Sequence, residues 1–584
     1  MKYFTIKYRN FLFILITFNF SLFTFHCSAQ HWVPDTNKKF SFDAPTSQFL
    51  AGTGNKLYVA KDTLYISGNF GTIGNIRAYC IARYSNGRWD SLRGGIYGVV
   101  NAMQYVNGYL YVGGFFQYAI QQGAYLPTPY YPPNMIDFMN IIRVPHTTGT
   151  AKWDGNQWYS IDTTVDCAYS CIYDLLYFNN KFYFAGSNLF GMAWGMISFD
   201  GTTWGDKCIT SGFTTLHTYH QDLLAGDASW GLFFRYLGNT QFDSVPYGGI
   251  YGGPYCMLTD TINDFLYLAG YFWWVYRPKP IESHWIAMYD GYEWHSMGTN
   301  NFHPILDMKI YRGYLYAGGG SYVLEDSITR INNIARWDWD NFHWFPLDSG
   351  VTGGMGGVGS MEIFHDTLFV TGGFTIAGGD SAIGLARWYA PPDTCCAFLR
   401  PMIHTLNLQD TFYLSQGQVA VQFFNNNAYA ESWQWDFGDG TEDVTNTYKD
   451  PLHTYTHAGV YQVNVAVTHK MLDDTTRTCT KTATKRIVVL QSSEMEAYNE
   501  ESLHFIIYPN PTTGDFTVEC TLPANKTGLI KTYNSYGSYL REFPLETGCN
   551  HIVIPAGQWF TNVILCGLYI DGKQVLVKKV VKSK

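Results

Sequence analysis

The sequence predicts an all-β protein: a closed ring of seven four-stranded sheets followed by two β-sandwiches. Three observations predict it. Hydrophobic residues make up 46% of the 584-residue chain and aromatics 18%, against 15% charged, with 57 glycines. Strands favour Tyr, Phe, Trp and Val, and tight turns consume glycine. An apolar strand ending in small residues then recurs seven times. Beyond residue 392 that repeat stops, and two stretches with other strand and turn patterns follow.

The repeated strand reads "LYISG" (64–68), "LYVGG" (110–114), "FYFAG" (182–186), "DLLAG" (222–226), "LYLAG" (266–270), "LYAGG" (315–319) and "LFVTG" (368–372). Its final glycines are 46, 72, 40, 44, 49 and 53 residues apart, the long interval marking an insertion at 117–150. A second motif follows each copy, as in "IARYSNGRW" (81–89), "AKWDGNQW" (151–158) and "IAMYDGYEW" (286–294). A weaker third motif precedes each glycine strand, as in "VVNAMQYVNG" (99–108). Four short strands per repeat of roughly 40–50 residues mark the blades of a β-propeller, so residues 30–392 are expected to form seven blades. The last copy, "LARWYAPPD", lacks its outer strand, whereas "HWVP" (31–34) resembles one. Trp32 is therefore expected to complete the seventh sheet and latch the ring. Asn86-Gly87, Asp154-Gly155, Asp200-Gly201 and Asp290-Gly291 are expected to be two-residue type I′ turns, because Asn, Asp and Gly tolerate positive φ.

Asp beside Gly between aromatics resembles the Asp box of sialidase-like propellers, S-x-D-x-G-x-x-W. Here Asp and Gly are adjacent throughout, which departs from that spacing. Arg83, Arg336 and Arg387 occupy equivalent repeat positions and read as structural, with no catalytic residue assigned. The repeat as a whole resembles exported bacterial propellers bearing "LYVGGxF … IARWDGxxW" units, a group that implies no catalytic residues to carry over.

Residues 431–441, "ESWQWDFGDGT", and 453–467, "HTYTHAGVYQVNVAV", resemble the PKD domain, an immunoglobulin-like β-sandwich, over 403–490. The resemblance implies Trp435 in the core, a tight turn at Gly438, Asp439 and Gly440, and a spacer or interaction role. Asp436 and Asp439 are too few carboxylates for calcium and read as turn residues. A polar, acidic linker spans 491–502. Residues 503–584 then carry "FIIYPNPTTGDFTVEC" and "CGLYIDGKQVLVKKVVKSK" at opposite ends. The positions Tyr508, Pro509, Asn510, Pro511, Gly514, Gly567, Leu568 and Tyr569, with the closing Lys578, Lys579 and Val580, resemble the type A C-terminal sorting domain of type IX secretion substrates. That resemblance implies an immunoglobulin-like sandwich, the type IX secretion machinery as partner, and release or surface attachment after export.

The N-terminus agrees with export. Lys2, Lys7 and Arg9 precede the apolar run 11–25, and a cut between Ala29 and Gln30 would remove residues 1–29 as a signal peptide. The run is too short for a membrane span, so no transmembrane anchor is expected in the mature chain. A formal charge of −9 without a basic stripe argues against nucleic acid. Of twelve cysteines, Cys395 and Cys396 are adjacent and have Cys479 as one candidate partner. No His/Cys cluster has zinc spacing, so neither metal nor cofactor is expected. Candidate ligand contacts are the aromatics of two inserted segments: Tyr130 and Tyr131, and Trp273, Trp274 and Tyr276. Adjacent residues of a strand face opposite ways, so Trp273 and Trp274 are not expected to share one platform. The expected function is a secreted or cell-surface binding or adhesion protein, not an enzyme, recognising surface polysaccharide or protein through propeller loops. The alternatives are a glycan-active enzyme using the propeller funnel and a structural surface-layer component.

Overall fold

The computed structural model describes residues 30–581 apart from 36–52 (Phe42 excepted), 123–141, 162–170, 188–193, 244–249, 299–304, 442–447, 492–503, 556–562 and some shorter stretches. The expected signal peptide with Ala29, the residues Tyr130, Tyr131 and Cys395, and nearly all of the linker lie outside the described residues. Among the described residues the chain is all-β, with one 3-10 turn at Leu406–Leu408.

Seven antiparallel sheets of four main strands follow one another. Their first strands are Thr53–Ala60, Gly95–Val106, Cys171–Phe178, Phe213–Tyr219, Ile250–Asp260, Ile305–Tyr311 and Val358–Phe364. Each first strand packs against the next, and the seventh returns to the first, so the sheets form a closed circuit. The seventh sheet takes its outer strand from the N-terminal side: His31 pairs with Tyr389 and Trp32 with Trp388. Trp32 also repeats a bond made elsewhere in the circuit. Its indole N–H donates to Leu347 O of the sixth sheet at 3.0 Å, as Trp158 does to Leu92 O and Trp344 to Met297 O. A buried indole needs such an acceptor, and each of these bonds ties an outer strand to the preceding sheet.

Every first strand carries a β-bulge at the same level, where its register against the second strand slips by one. The bulge explains the repeated glycine. A Cβ at Gly68, Gly114, Gly186 or Gly270 would meet a carbonyl oxygen of the adjoining first strand at 2.2, 2.1, 2.1 or 2.2 Å, and one at Gly372 would meet Gly357 O, just before that strand, at 2.0 Å. Side chains near the bulges stitch neighbouring sheets together around the whole circuit. Asn55 donates to Val100 O, Asn101 donates to Ile172 O, and Asp174 accepts from Leu216 N. His217 meets Thr259 at 2.8 Å, and the Cys256 thiol lies 4.0 Å from Ile305 O. Asp307 accepts from Met361 N, and Ser360 accepts from Leu57 N.

The turns correct one expectation. Ser85 pairs with Arg88 around Asn86 (φ 49°) and Gly87 (φ 77°), a two-residue turn with positive φ at both positions. The Asp-Gly copies differ, because only Gly155, Gly201 and Gly291 have positive φ. Asp154 N donates to Gln157 O, Asp200 N to Thr203 O and Asp290 N to Glu293 O, so each loop has four residues. The aspartate Oδ1 accepts the amides two and three residues on, at 2.7 and 2.7 Å for Asp154, 2.8 and 2.7 Å for Asp200, and 2.9 and 2.8 Å for Asp290. An Asx turn has replaced the type I′ turn.

The first sandwich packs Ile403–Thr405, Val419–Asn425 and Leu452–Tyr455 against Thr411–Tyr413, Thr478–Leu490, Gly459–Lys470 and Ser432–Asp436. Trp435 lies in its core with Phe423, Tyr455, Val463, Val465 and Val467. Cys396 and Cys479 form a disulfide, the pairing named as a candidate from the sequence. Gly438 and Gly440 take positive φ, and Asp439 accepts from Thr441 N and faces His453, which are turn roles. This sandwich docks on the fifth sheet through a buried asparagine clasp. Asn263 donates to Phe398 O and accepts from Arg400 N, while Asn426 donates to Asn263 O and Asn427 to Asn263 Oδ1.

In the second sandwich, Phe505–Tyr508, Phe516–Leu522 and Gly548–Ile554 share a core with the sheet of Tyr539–Leu545, Gly528–Asn534, Val563–Ile570 and Lys573–Val581. Lys573–Val581 is an edge strand. Asn510, between its two prolines, donates to Lys579 O at 2.7 Å and accepts from Val581 N at 2.9 Å. The two motif stretches at opposite ends of this segment are thus clipped together. Gly567 lies beside the Tyr569 ring, and Leu568 is in the core. Tyr569 is buried with Leu406, Phe424, Tyr533 and Leu565, and Tyr292 of the fifth sheet packs against this group.

Candidate binding surface

The second strand of the fifth sheet, Phe265–Tyr276, runs on past Gly270 as a long extension. Ile250–Asp260 flanks it on one side and Pro280–Glu282 on the other. Neighbours on both edges satisfy its backbone and stiffen it. The strand begins beside Asn263, where the first sandwich docks. Trp273 lies eight residues further along, roughly 27 Å at strand rise, so the extension projects from the end of the sheet away from that contact.

The extension carries Tyr271, Trp273 and Trp274 at 50%, 40% and 41% exposure. Phe272 and Val275 between and beyond them are fully buried. Strict alternation cannot give that pattern. Tyr251 pairs with Trp274 and Gly252 with Phe272, which leaves Trp273 as an extra residue in a β-bulge. A bulge re-aims the side chains after it. Both tryptophans of the adjacent pair are exposed, with buried residues on either side of the pair, so strict alternation does not run through the bulge. Tyr271 and Trp273 both lean on the buried Trp285, with ring centroids at 4.8 and 5.6 Å. That contact orders them while leaving much of each ring open. Tyr276 ends the strand.

The axis of the circuit is a second, chemically different region, which reading the sequence for motifs did not find. Lys56, Asp174, His217, Cys256, Asp307, Lys309 and Glu362 all stand on first strands. Lys56 acts electrostatically on Asp174 and Cys256, and Lys309 on His217, across sheets that are not neighbours, so these groups converge. Lys309 and Glu362 form an ion pair at 2.8 Å. Burial pushes the Asp174 carboxyl up despite Lys56 and the Leu216 amide. Burial and then the Lys309 charge push the His217 imidazole down to about 4. Asp174 and Asp307 each give an oxygen to the amide of the next sheet. The cluster thus acts as an inter-sheet girdle.

The repeat arginines have local partners. Arg83 pairs with Asp90 at 2.7 Å, Arg336 lies over the Tyr314 ring, and Arg387 donates to Pro34 O. Among the described residues, two side-chain groups carry metal-donor chemistry: Asp290, Glu293 and His404, and Glu519, Cys549 and His551. Neither has a signature in local spacing.

Comparison with known proteins adds one assignment. Residues 413–489 match the PKD domain. This PKD segment coincides with most of the first sandwich, and its strand Ser432–Asp436 carries the core Trp435. No curated protein matches the chain. Among solved structures, the chain is similar to the extracellular domain of a hybrid two component system from B. thetaiotaomicron, at 11% identity and TM-score 0.31, covering 75% of this chain and 68% of that one. It is also similar to carbohydrate-binding modules of the β-sandwich superfamily, at 13% identity and TM-score 0.13, covering 32% and 94%. Dimeric latent PorU from Porphyromonas gingivalis matches at 11% identity and TM-score 0.15, covering 46% and 31%. None of the three reaches a TM-score of 0.5.

Proposed function

We propose that this chain is a secreted or cell-surface binding protein whose contact surface is the aromatic extension of the fifth sheet. The observation that carries the reading is Tyr271, Trp273 and Trp274 exposed together on a strand braced at both edges. Rigid aromatic side chains lose little entropy on binding and dominate recognition of sugar rings and protein anchors. Three such rings held by secondary structure are ordered before a ligand arrives. The circuit of seven sheets is read as a seven-bladed β-propeller, with the PKD sandwich as a spacer docked at the other end of the fifth sheet. The second sandwich is read as a type IX sorting domain. The clip from Asn510 to Lys579 and Val581 supports treating its two motif stretches as one recognition unit. The ligand class is a surface polysaccharide or a surface protein.

The test is a glycan array and a protein pull-down with the mature chain, repeated with Trp273→Ala and Trp274→Ala. Each substitution is expected to weaken binding at least about tenfold, or about 1.4 kcal/mol. Trp274→Ala is expected to change unfolding stability by about 0.5 kcal/mol or less. Binding untouched by both substitutions would move the contact surface elsewhere. Turnover of a bound glycan would favour the glycan-active alternative.

A further inference from the structure

Asp290, Glu293 and His295 belong to the outer hairpin of the fifth sheet, and His404 to the strand Ile403–Thr405 of the first sandwich. The docking of the two units brings residues 290 and 404 together. Asp290 Oδ2 lies 2.6 Å from His295 Nε2 and 3.1 Å from His404 Nε2. Glu293 Oε1 lies 4.0 Å from His295 Nε2. The donor atoms of Asp290, Glu293 and His404 all fall within 4.8 Å of one another. The Asp290 side chain is fully buried and that of His404 is 5% exposed.

Two features distinguish this group from a simple hydrogen-bonded triad. His404 Nε2 is buried and makes no well-aligned hydrogen bond, although it faces the Asp290 carboxylate at 3.1 Å and acts on it electrostatically. A buried nitrogen with its lone pair or proton unused is costly unless something else occupies it. The Tyr292 ring also stacks on His404 at 4.2 Å, fixing the orientation of the imidazole. The two carboxylates together supply two negative charges, matching one divalent cation. The mixed nitrogen and oxygen set suits zinc and its neighbours, not calcium or magnesium, which take oxygen donors. With metal–ligand bonds of about 2.0–2.1 Å, a tetrahedral site has donors about 3.3 Å apart, within the spread seen here.

We propose that Asp290, Glu293 and His404 bind one divalent transition-metal ion, zinc in type, which locks the first sandwich onto the fifth sheet. Two ligands come from the sheet and one from the sandwich, so the ion bridges the two, while His295 Nε2 holds Asp290 Oδ2 at 2.6 Å. Asp290 Oδ1 stays with the amides of its turn, leaving Oδ2 for the metal.

The experiment uses the full mature chain without a histidine tag, in a Cys549→Ser, His551→Ala background that removes the exposed Glu519, Cys549 and His551 group. Chelator-stripped protein is titrated with Zn²⁺ by calorimetry, and its melting temperature is followed with and without the ion. One equivalent is expected to bind, with a rise of several degrees. Co²⁺ is expected to give visible absorption bands of four-coordinate nitrogen and oxygen ligation, without a thiolate charge-transfer band. His404→Gln is expected to weaken binding at least about a hundredfold and to abolish the rise; Glu293→Gln provides the same readout should His404→Gln fail to fold. Absence of a stoichiometric ion in the background protein, or binding unchanged in the folded variants, would overturn the proposal.

Discussion

The hairpins at Asp154 and Asp290 have the same backbone and opposite surroundings. In both, a four-residue loop closes on the aspartate amide, and Oδ1 accepts the next two free amides. In the second sheet the remaining oxygen accepts from the Tyr159 hydroxyl, and Asn156 at the tip is exposed and held by Arg93. In the fifth sheet the remaining oxygen faces two histidines in a buried junction, and Tyr292 at the tip packs among residues of both sandwiches. Local sequence dictates the turn. What is docked on the turn dictates its chemistry.

The largest expected effect separates the two turns. Asp290→Ala removes a fully buried carboxylate from two histidines and frees two amides, a loss expected to cost about 3–5 kcal/mol. Urea unfolding of the variant beside Asp154→Ala measures the contrast. Equal losses at the two sites would mean that the turn, and not the junction, sets the cost.

His217 offers burial without a turn, and so tests burial alone. Its imidazole is held down to about 4 from an ordinary 6.5 by burial and then by Lys309. The native protein therefore keeps it neutral, while the unfolded chain takes up the proton first. Its contribution is fully present above pH 6.5 and is lost as pH falls through 4, amounting to about 3 kcal/mol at most. Unfolding free energy measured across that window is expected to fall with acid, and His217→Gln is expected to flatten the fall. A variant as acid-sensitive as the parent would place the titrating group elsewhere.

The same contrast explains how far the sequence could be read. The four-strand period, the missing outer strand and the Trp32 replacement are signals written in spacing and residue type, and the register of His31–Trp32 against Trp388–Tyr389 follows them. The PKD core around Trp435 was equally legible. The bulge at Trp273 was not, because one extra residue in a pairing leaves no mark on composition yet reverses which side chains face out. The girdle was hidden for another reason: Asn55, Asn101, Asp174, Asp307 and Ser360 do one job with three residue types, so no repeat appears. The Asp290 and His404 pairing spans two units, and spacing along the chain cannot report it.

The smallest expected effect lies at Asp154 and tests whether the turn stands by itself. Burial is the largest single influence and raises its carboxyl, but the amides of Gln157 and Asn156 and the Tyr159 hydroxyl together outweigh it and hold the group below the ordinary 3.8. A lowered native value means stability present above the unfolded value and lost as pH falls below it. Asp154→Ala should cost about 1 kcal/mol near neutral pH, the worth of the hydrogen bonds removed. Asp154→Asn keeps an oxygen for the two amides and loses only the charge, so it should retain most of the stability while shedding the acid-dependent part. Unfolding curves at neutral pH and near pH 3 separate these contributions. If Asn is as damaging as Ala, charge and not amide capping holds the turn, and the likeness between the Asp154 and Asp290 loops would be one of shape alone.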